Sequence, residues 1–214
     1  MLVNADGVSV TIGETVLLAT TSIQAEAGEV VALRGGNGSG KTTLLRVLAG
    51  VMPPTAGRAE IASEPVNQSS PIFRRRVASL IGLPPLARNL TLAEHLRLVG
   101  LTWNESPESV DAATRKLLDT FGLGALGSRF PHELSSGQTQ LFALALTFAR
   151  PSDVILLDEP EQRLDADRLA RVRDGIRGVV AQGRTVVMAT HSQWLADEIS
   201  TQTVTLVEAA AVDG

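Results

Sequence analysis

Residues 33–45 constrain this chain more than any other stretch. They read Leu33-Arg34-Gly35-Gly36-Asn37-Gly38-Ser39-Gly40-Lys41-Thr42-Thr43-Leu44-Leu45. Gly35 and the run Gly40-Lys41-Thr42 fit G-x-x-x-x-G-K-[ST], the P-loop spacing. The residue types follow from the chemistry. Phosphate oxygens are held by main-chain N–H groups, so the loop must curl tightly and present bare backbone. Glycine permits the positive φ angles and the close approach. Lys41 adds a point charge, and Thr42 offers a hydroxyl to a divalent cation. A helix starting near Gly40 aims its positive end at the same anion. The competing reading is a glycine-rich turn that binds nothing. Context decides between them. Residues 29–33 read as a buried strand and residues 42–49 as a helix closed by Gly50, which is the strand, loop and helix the motif requires. Gly35, Gly36, Asn37, Gly38, Ser39, Gly40, Lys41, Thr42 and Thr43 are therefore the expected nucleotide contacts.

The remaining composition narrows the class. Apolar residues make up 44% of 214, enough for a full core. The formal charge is −4, which gives no basic excess to hold nucleic acid by charge alone. There is no cysteine, so disulfides and thiolate metal sites are excluded. No apolar run reaches the roughly 18 residues of a membrane span, and the first residues lack the pattern of a secretory signal. The expectation is a soluble, cytosolic protein.

In chain order, residues 2–12 and 15–23 alternate apolar and polar, as antiparallel strands with one wet face do, with Gly13-Glu14 as their turn. After the P-loop and its helix, Pro53-Pro54-Thr55-Ala56-Gly57 is a turn and residues 58–61 a short edge strand. Arg74-Arg75-Arg76 reads as a solvated helix face rather than a binding site. Residues 77–81 form a short strand ended by Pro84 and Pro85. From 91 to about 150 the pattern is helical, with Ser106 as N-cap and Pro107 in the first turn. Strands follow at 154–157 and 185–190, separated by a helix over 165–181. A helix at 193–199 and a last strand at 203–207 close the chain, and Ala209-Ala210-Ala211 reads as a frayed tail. No internal repeat of about 20–50 residues is present.

In open parallel sheets the ligand lies beyond the carboxyl ends of the strands, and three such ends carry chemistry. The first delivers the P-loop. The second delivers Asp158 and Glu159 after Val154-Ile155-Leu156-Leu157. The third delivers His191 after Val186-Val187-Met188-Ala189-Thr190. Asp158 suits a Mg²⁺ ligand at the edge of the core, together with Thr42. Glu159 suits the polarising of an attacking water. His191 suits a contact to the terminal phosphate, or a hold on Glu159. Taken alone, the two acids read as a turn or helix cap; beside a P-loop, they are the pairing that phosphoryl transfer needs. Leu134-Ser135-Ser136-Gly137-Gln138 opens another helix. It fits a capping box between Ser135 and Gln138, and its glycine-bearing helix start is also a second anion site.

With these motifs in place, the chain resembles the ATP-binding subunit of ABC transporters. Residues 35–42 match the family's Walker A loop and residues 154–159 its Walker B strand. Residues 134–138 match the signature motif, Leu164-Asp165 the end of the D-loop, and His191 the switch histidine. The resemblance covers essentially the whole chain. It implies an α/β P-loop NTPase fold of ABC type: a mostly parallel core sheet, an antiparallel β subdomain and an inserted α-helical subdomain. The expected division is a single domain over 1–214, with 1–83 and 151–214 as core and 84–150 as the helical insert. It further implies ATP and Mg²⁺ as ligands and a head-to-tail homodimer or heterodimer. Each ATP would lie between the P-loop of one protomer and Ser135, Gly137 and Gln138 of the other, with Asp165 nearby and Glu159 as base. The partner implied is a separately encoded transmembrane permease, with this subunit at the cytoplasmic face of the membrane.

The chain also departs from the family pattern. The aromatic residue that stacks on adenine falls about where Ile12 stands, so an aliphatic contact must substitute. The Q-loop glutamine should fall near Gly82 or Leu83 and is missing. Ser136 replaces a signature glycine. Gln162 and Arg163 replace small D-loop residues, and Leu141 stands where a basic residue commonly follows the signature. The short length resembles small exporter subunits of haem-exporter type. Two alternatives remain. One is a soluble, non-transport ABC ATPase acting on DNA or the ribosome, which would typically bring a coiled coil, tandem ATPase domains or basic extensions. The other is an ATP-binding module with weak hydrolysis.

Overall fold

A computed structural model describes residues 1–103 and 106–207; the expected frayed tail at 209–211 lies outside the described residues. The chain opens with β1 (Val3–Ile12) and β2 (Thr15–Ala25), paired antiparallel. Next come β3 (Val30–Arg34) and α1 (Lys41–Leu48). Then β4 (Ala56–Ile61) pairs antiparallel with β1, and the two-residue β5 (Glu64–Pro65) pairs with β4. The antiparallel sheet therefore runs β2-β1-β4-β5. The sequence reading placed β4 at the edge; β5 lies outside it. The difference comes from the turn between them. Ala62 and Ser63 both take positive φ, 52° and 63°, the geometry of a two-residue hairpin turn, but neither is the Gly or Asn that would announce it.

The main sheet is assembled from β6 (Val77–Leu80), which follows the short α2 (Pro71–Arg76), and from four other strands. Between β6 and β7 (Val154–Asp158) the described chain is helical: α3 (Leu92–Thr102), α4 (Pro107–Thr120), two 3₁₀ turns and α5 (Ser136–Ala149). Ser106 caps α4 by accepting a hydrogen bond from the Ser109 N–H. After β7 come α6 (Ala166–Val180), β8 (Thr185–Ala189), α7 (Gln193–Ile199) and β9 (Gln202–Thr205). The strand order is β6-β7-β8-β3-β9, and every pair is parallel.

A parallel sheet covered on both faces needs strands that are apolar throughout, because successive side chains point to opposite sides. The chain supplies them. Val31, Leu33, Val154, Leu156 and Val187 face one core, shared with Leu44, Leu45 and Leu48 of α1 and the inner face of the antiparallel sheet. Val30, Ala32, Ile155, Leu157, Val186 and Met188 face the other, shared with α3, α5, α6 and α7. Helix α5 is the centre of that second layer. From Leu141 to Ala145 every residue is buried, so the position where the family pattern expects a basic residue, Leu141, here belongs to the core.

Parallel register brings the strand ends together. Asp158 pairs with Ala189, and Ala189 pairs with Leu33. The Glu159 N–H donates to Ala189 O at 2.9 Å, and the Thr190 N–H to Leu33 O at 3.2 Å. The chain segments leaving β3, β7 and β8 thus start from one edge of the sheet.

Candidate functional site

Between β3 and α1 the backbone takes positive φ at Gly35, Gly38 and Gly40. Gly40 is the N-cap of α1, at φ 90°, and supplies no side-chain cap. Amides of the first helical turn thus have no capping side chain and can bind an anion. Gly40 has a second reason to be glycine. A Cβ there would lie 2.7 Å from Leu18 Cδ1 and 2.8 Å from Leu17 O of β2. Lys41 is buried, and its ammonium donates to Gly35 O at 2.9 Å and Gly36 O at 2.8 Å. The Ser39 hydroxyl is buried without a hydrogen-bond partner. Residues Thr15, Val16, Leu17, 37–43 and Glu159 line a cavity of about 410 Å³.

The Thr42 hydroxyl donates to Asp158 at 2.8 Å and 3.1 Å, to its two carboxylate oxygens. Burial pushes the Asp158 carboxyl above its ordinary value. The bond from Thr42 opposes this, the charge of Glu159 adds to it, and Arg46 and Lys41 oppose it more weakly. Glu159 itself sits at φ 49°, a left-handed conformation that costs a non-glycine residue roughly 1–2 kcal/mol. Its Oε1 lies 3.3 Å from His191 Nε2, and its Oε2 accepts a bond from Gln162 Nε2 at 3.2 Å. Buried Gln140 of α5 reaches the same turn, donating to Glu159 O and Pro160 O at 3.3 and 3.4 Å.

The signature residues form a separate group. Ser135 and Gln138 make the expected capping box: the Gln138 N–H donates to Ser135 Oγ at 3.3 Å, and the Ser135 N–H to Gln138 Oε1 at 2.8 Å. Gly137 packs beside the start of α6, where a Cβ would meet Arg163 O at 3.0 Å and Arg168 Nη1 at 3.1 Å. Asp165 is the N-cap of α6, accepting from the Arg168 N–H at 2.9 Å. So Ser135, Gly137, Gln138 and Asp165 cluster around two helix starts, and none of them lines the P-loop cavity.

Ile12 ends β1 at 60% exposure and also lies outside that lining; Val16 and Leu17 are the apolar side chains within it. Of the two positions for a Q-loop glutamine, Gly82 has φ 78°, a conformation suited to glycine. Leu83, 43% exposed, lines a larger cavity of about 540 Å³ together with Arg46, His95, Leu98 and Arg150. Two residues at the site carry no sequence motif of their own, Gln140 and Glu161. The signal for Glu161 is a third acid within four residues of the β7 terminus; for Gln140 there is none beyond a polar residue in an apolar helix.

Comparison with known proteins places these features. The family model described as ABC transporter matches residues 18–162. The sulfate/thiosulfate import ATP-binding protein CysA of Vibrio cholerae serotype O1 is 34% identical over 211 residues, covering 96% of this chain and 56% of the relative. The chain thus spans little more than half the length of that relative, whose name places it among importers. A solved ATP-binding subunit of an ABC transporter superposes with a TM-score of 0.86 at 28% identity, covering 96% of this chain and 86% of the other. The ATP-binding cassette MJ0796, in a dimeric post-hydrolysis state bound to ADP and Pi, superposes with a TM-score of 0.83 at 25% identity, covering 96% and 94%.

Proposed function

Because the chain belongs to the ABC transporter family, we propose that it is an ATP-hydrolysing subunit that dimerises on nucleotide and drives a separate membrane permease. The observation that carries this reading is the division of the site into two groups. The P-loop, Asp158, Glu159 and His191 meet at one edge of the sheet, while Ser135, Gly137, Gln138 and Asp165 gather at the starts of α5 and α6. A head-to-tail pair of chains joins the first group of one protomer to the second group of the other. The capping box occupies the N–H groups of Ser135 and Gln138, which leaves those of Ser136 and Gly137 at a helix start that favours an anion.

The donor chemistry fits Mg²⁺. A hydroxyl and a carboxylate, Thr42 and Asp158, already meet within hydrogen-bond distance. Such hard oxygen ligands in small number, completed by phosphates, are what Mg²⁺ uses. When bound, Mg²⁺ would neutralise charge on the terminal phosphates. The chain's own residues do the rest. Main-chain amides of residues 36–42 and Lys41 hold the triphosphate. Glu159 accepts a proton from the attacking water, and His191 keeps that carboxylate oriented. Val16 and Leu17 offer an apolar wall to the base. The permease would dock at the face that carries Leu83 and Leu98 beside the larger cavity. No helix among the described residues is long and apolar enough to cross a membrane. In this reading the permease holds the subunit at the cytoplasmic face.

Glu159→Gln tests the reading. ATP binding should persist, turnover should fall by roughly 10²-fold or more, and the ATP-bound dimer should accumulate on a sizing column. An unchanged rate would remove Glu159 from the mechanism.

A further inference from the structure

Glu161 is absent from every motif, yet it makes the densest set of polar contacts beside the site. Its Oε1 accepts three bonds: from the Thr190 hydroxyl at 2.7 Å, the His191 N–H at 2.6 Å and the Ser192 N–H at 3.1 Å. All three donors belong to the turn leaving β8. Glu161 itself belongs to the turn leaving β7, two residues after Glu159 with Pro160 between them. One carboxylate therefore ties the segment that carries the base to the segment that carries the histidine.

A helix cap is the plain alternative, because α7 begins at Gln193. Ser192 already fills that role: its own hydroxyl accepts from the Leu195 N–H at 3.1 Å. Glu161 reaches instead the residues before the helix, and His191 is central among them. The His191 side chain is 45% exposed and has Glu159 Oε1, 3.3 Å away, as its polar partner. A half-exposed ring on a turn has little packing to fix it. Its position is then set by its backbone, and its backbone is held by Glu161.

We propose that Glu161 is a positioning residue for hydrolysis: it fixes the main chain at His191 so that the imidazole stays against Glu159. This deepens the ATPase reading and rests on it. Glu161 touches neither nucleotide nor water in this account; it acts through His191. Its loss should therefore slow the chemical step and spare nucleotide binding.

The test is a cycle of variants of the full chain, assayed with ATP and Mg²⁺. Glu161→Ala should lower kcat roughly tenfold and leave KM for ATP within about twofold. Glu161→Gln keeps an acceptor oxygen and should recover most of the rate. In a His191→Ala background, adding Glu161→Ala should cost nothing further, since its route to the base is already gone. A second arm needs no turnover. In nucleotide-free protein, the amide protons of His191 and Ser192 should move upfield and exchange faster in Glu161→Ala than in wild type. Should the alanine variant not fold, Glu161→Gln and the amide measurements carry the comparison. The proposal is overturned by an unchanged kcat, by a loss seen mainly in KM, or by an equal loss with and without His191. Wild-type protein that binds ATP without turning it over would overturn the hydrolysis reading and the rate role with it. The amide shifts would still report whether Glu161 holds the turn.

Discussion

In the proposed site, Asp158 would serve metal binding against the interest of the fold. Its carboxyl is raised by burial, so the folded chain holds the proton to higher pH than the unfolded chain does. Between the ordinary value near 3.8 and the raised one, the folded state binds more protons, and stability falls as pH rises through that window. Above it the full cost of the buried charge remains. Asp158→Asn removes the charge and keeps an oxygen for the Thr42 hydroxyl. The variant should melt higher than wild type at pH 7 without nucleotide, and the gap should close toward pH 3; melting curves across that range check the sign. Turnover should drop by roughly 10²-fold or more in the same variant. The position of Asp158 was legible in the sequence, as were those of the P-loop, Glu159 and His191, because each follows an apolar strand at a fixed covalent spacing. Glu161 was not. Its partner His191 lies 30 residues on, and only the pairing of β7 with β8 makes them neighbours.

Elements with a strong period were legible from the residues alone, and those defined by side-chain anchoring were not. The strand alternation in β1 and β2, the apolar runs of β3, β7 and β8, and the caps at Ser106 and Ser135 all lie where propensity and burial agree. The β4–β5 hairpin was hidden because its turn uses Ala62 and Ser63. The end of α5 near Ala149 was read correctly; what was hidden is its anchor, which comes from elsewhere in the chain. Arg184, just before β8, is buried enough for its guanidinium to be pushed down to about 10. It donates to Phe148 O at 3.1 Å, Arg150 O at 2.9 Å and Ser152 O at 3.0 Å, and also bonds the Ser152 hydroxyl. This fork ties the end of α5 to the segment entering β7. Arg184→Ala strips three carbonyls of a charged donor and should destabilise the chain by about 2–4 kcal/mol, read from urea unfolding. Arg184→Lys should recover little, since a single ammonium cannot match the planar fork.

At the scale of the whole molecule, the two groups of site residues predict behaviour that no single protomer can show. Take Lys41→Ala, which damages the P-loop group, and Gly137→Arg, which blocks the signature group. Each alone should be nearly inactive. Mixed in equal amounts, they should recover about a quarter of wild-type turnover, because random pairing makes half the dimers mixed and each mixed dimer has one intact site. No recovery on mixing would mean that each protomer works alone. The family resemblance made this arrangement an expectation; composition and periodicity carried no trace of it, since an interface between copies leaves no period in the sequence. One contact inside the protomer has a consequence for selectivity. Gly40 lets Leu17 and Leu18 of β2 lie directly on the phosphate loop, and Leu17 also forms part of the cavity wall. In the proposed ATPase, the loop that would grip the phosphates and the wall that would face the base are thus geared together like meshed teeth. A substitution that shifts β2 to favour another base would jar the loop as well, which ties discrimination among nucleotides to the strength of the hold itself.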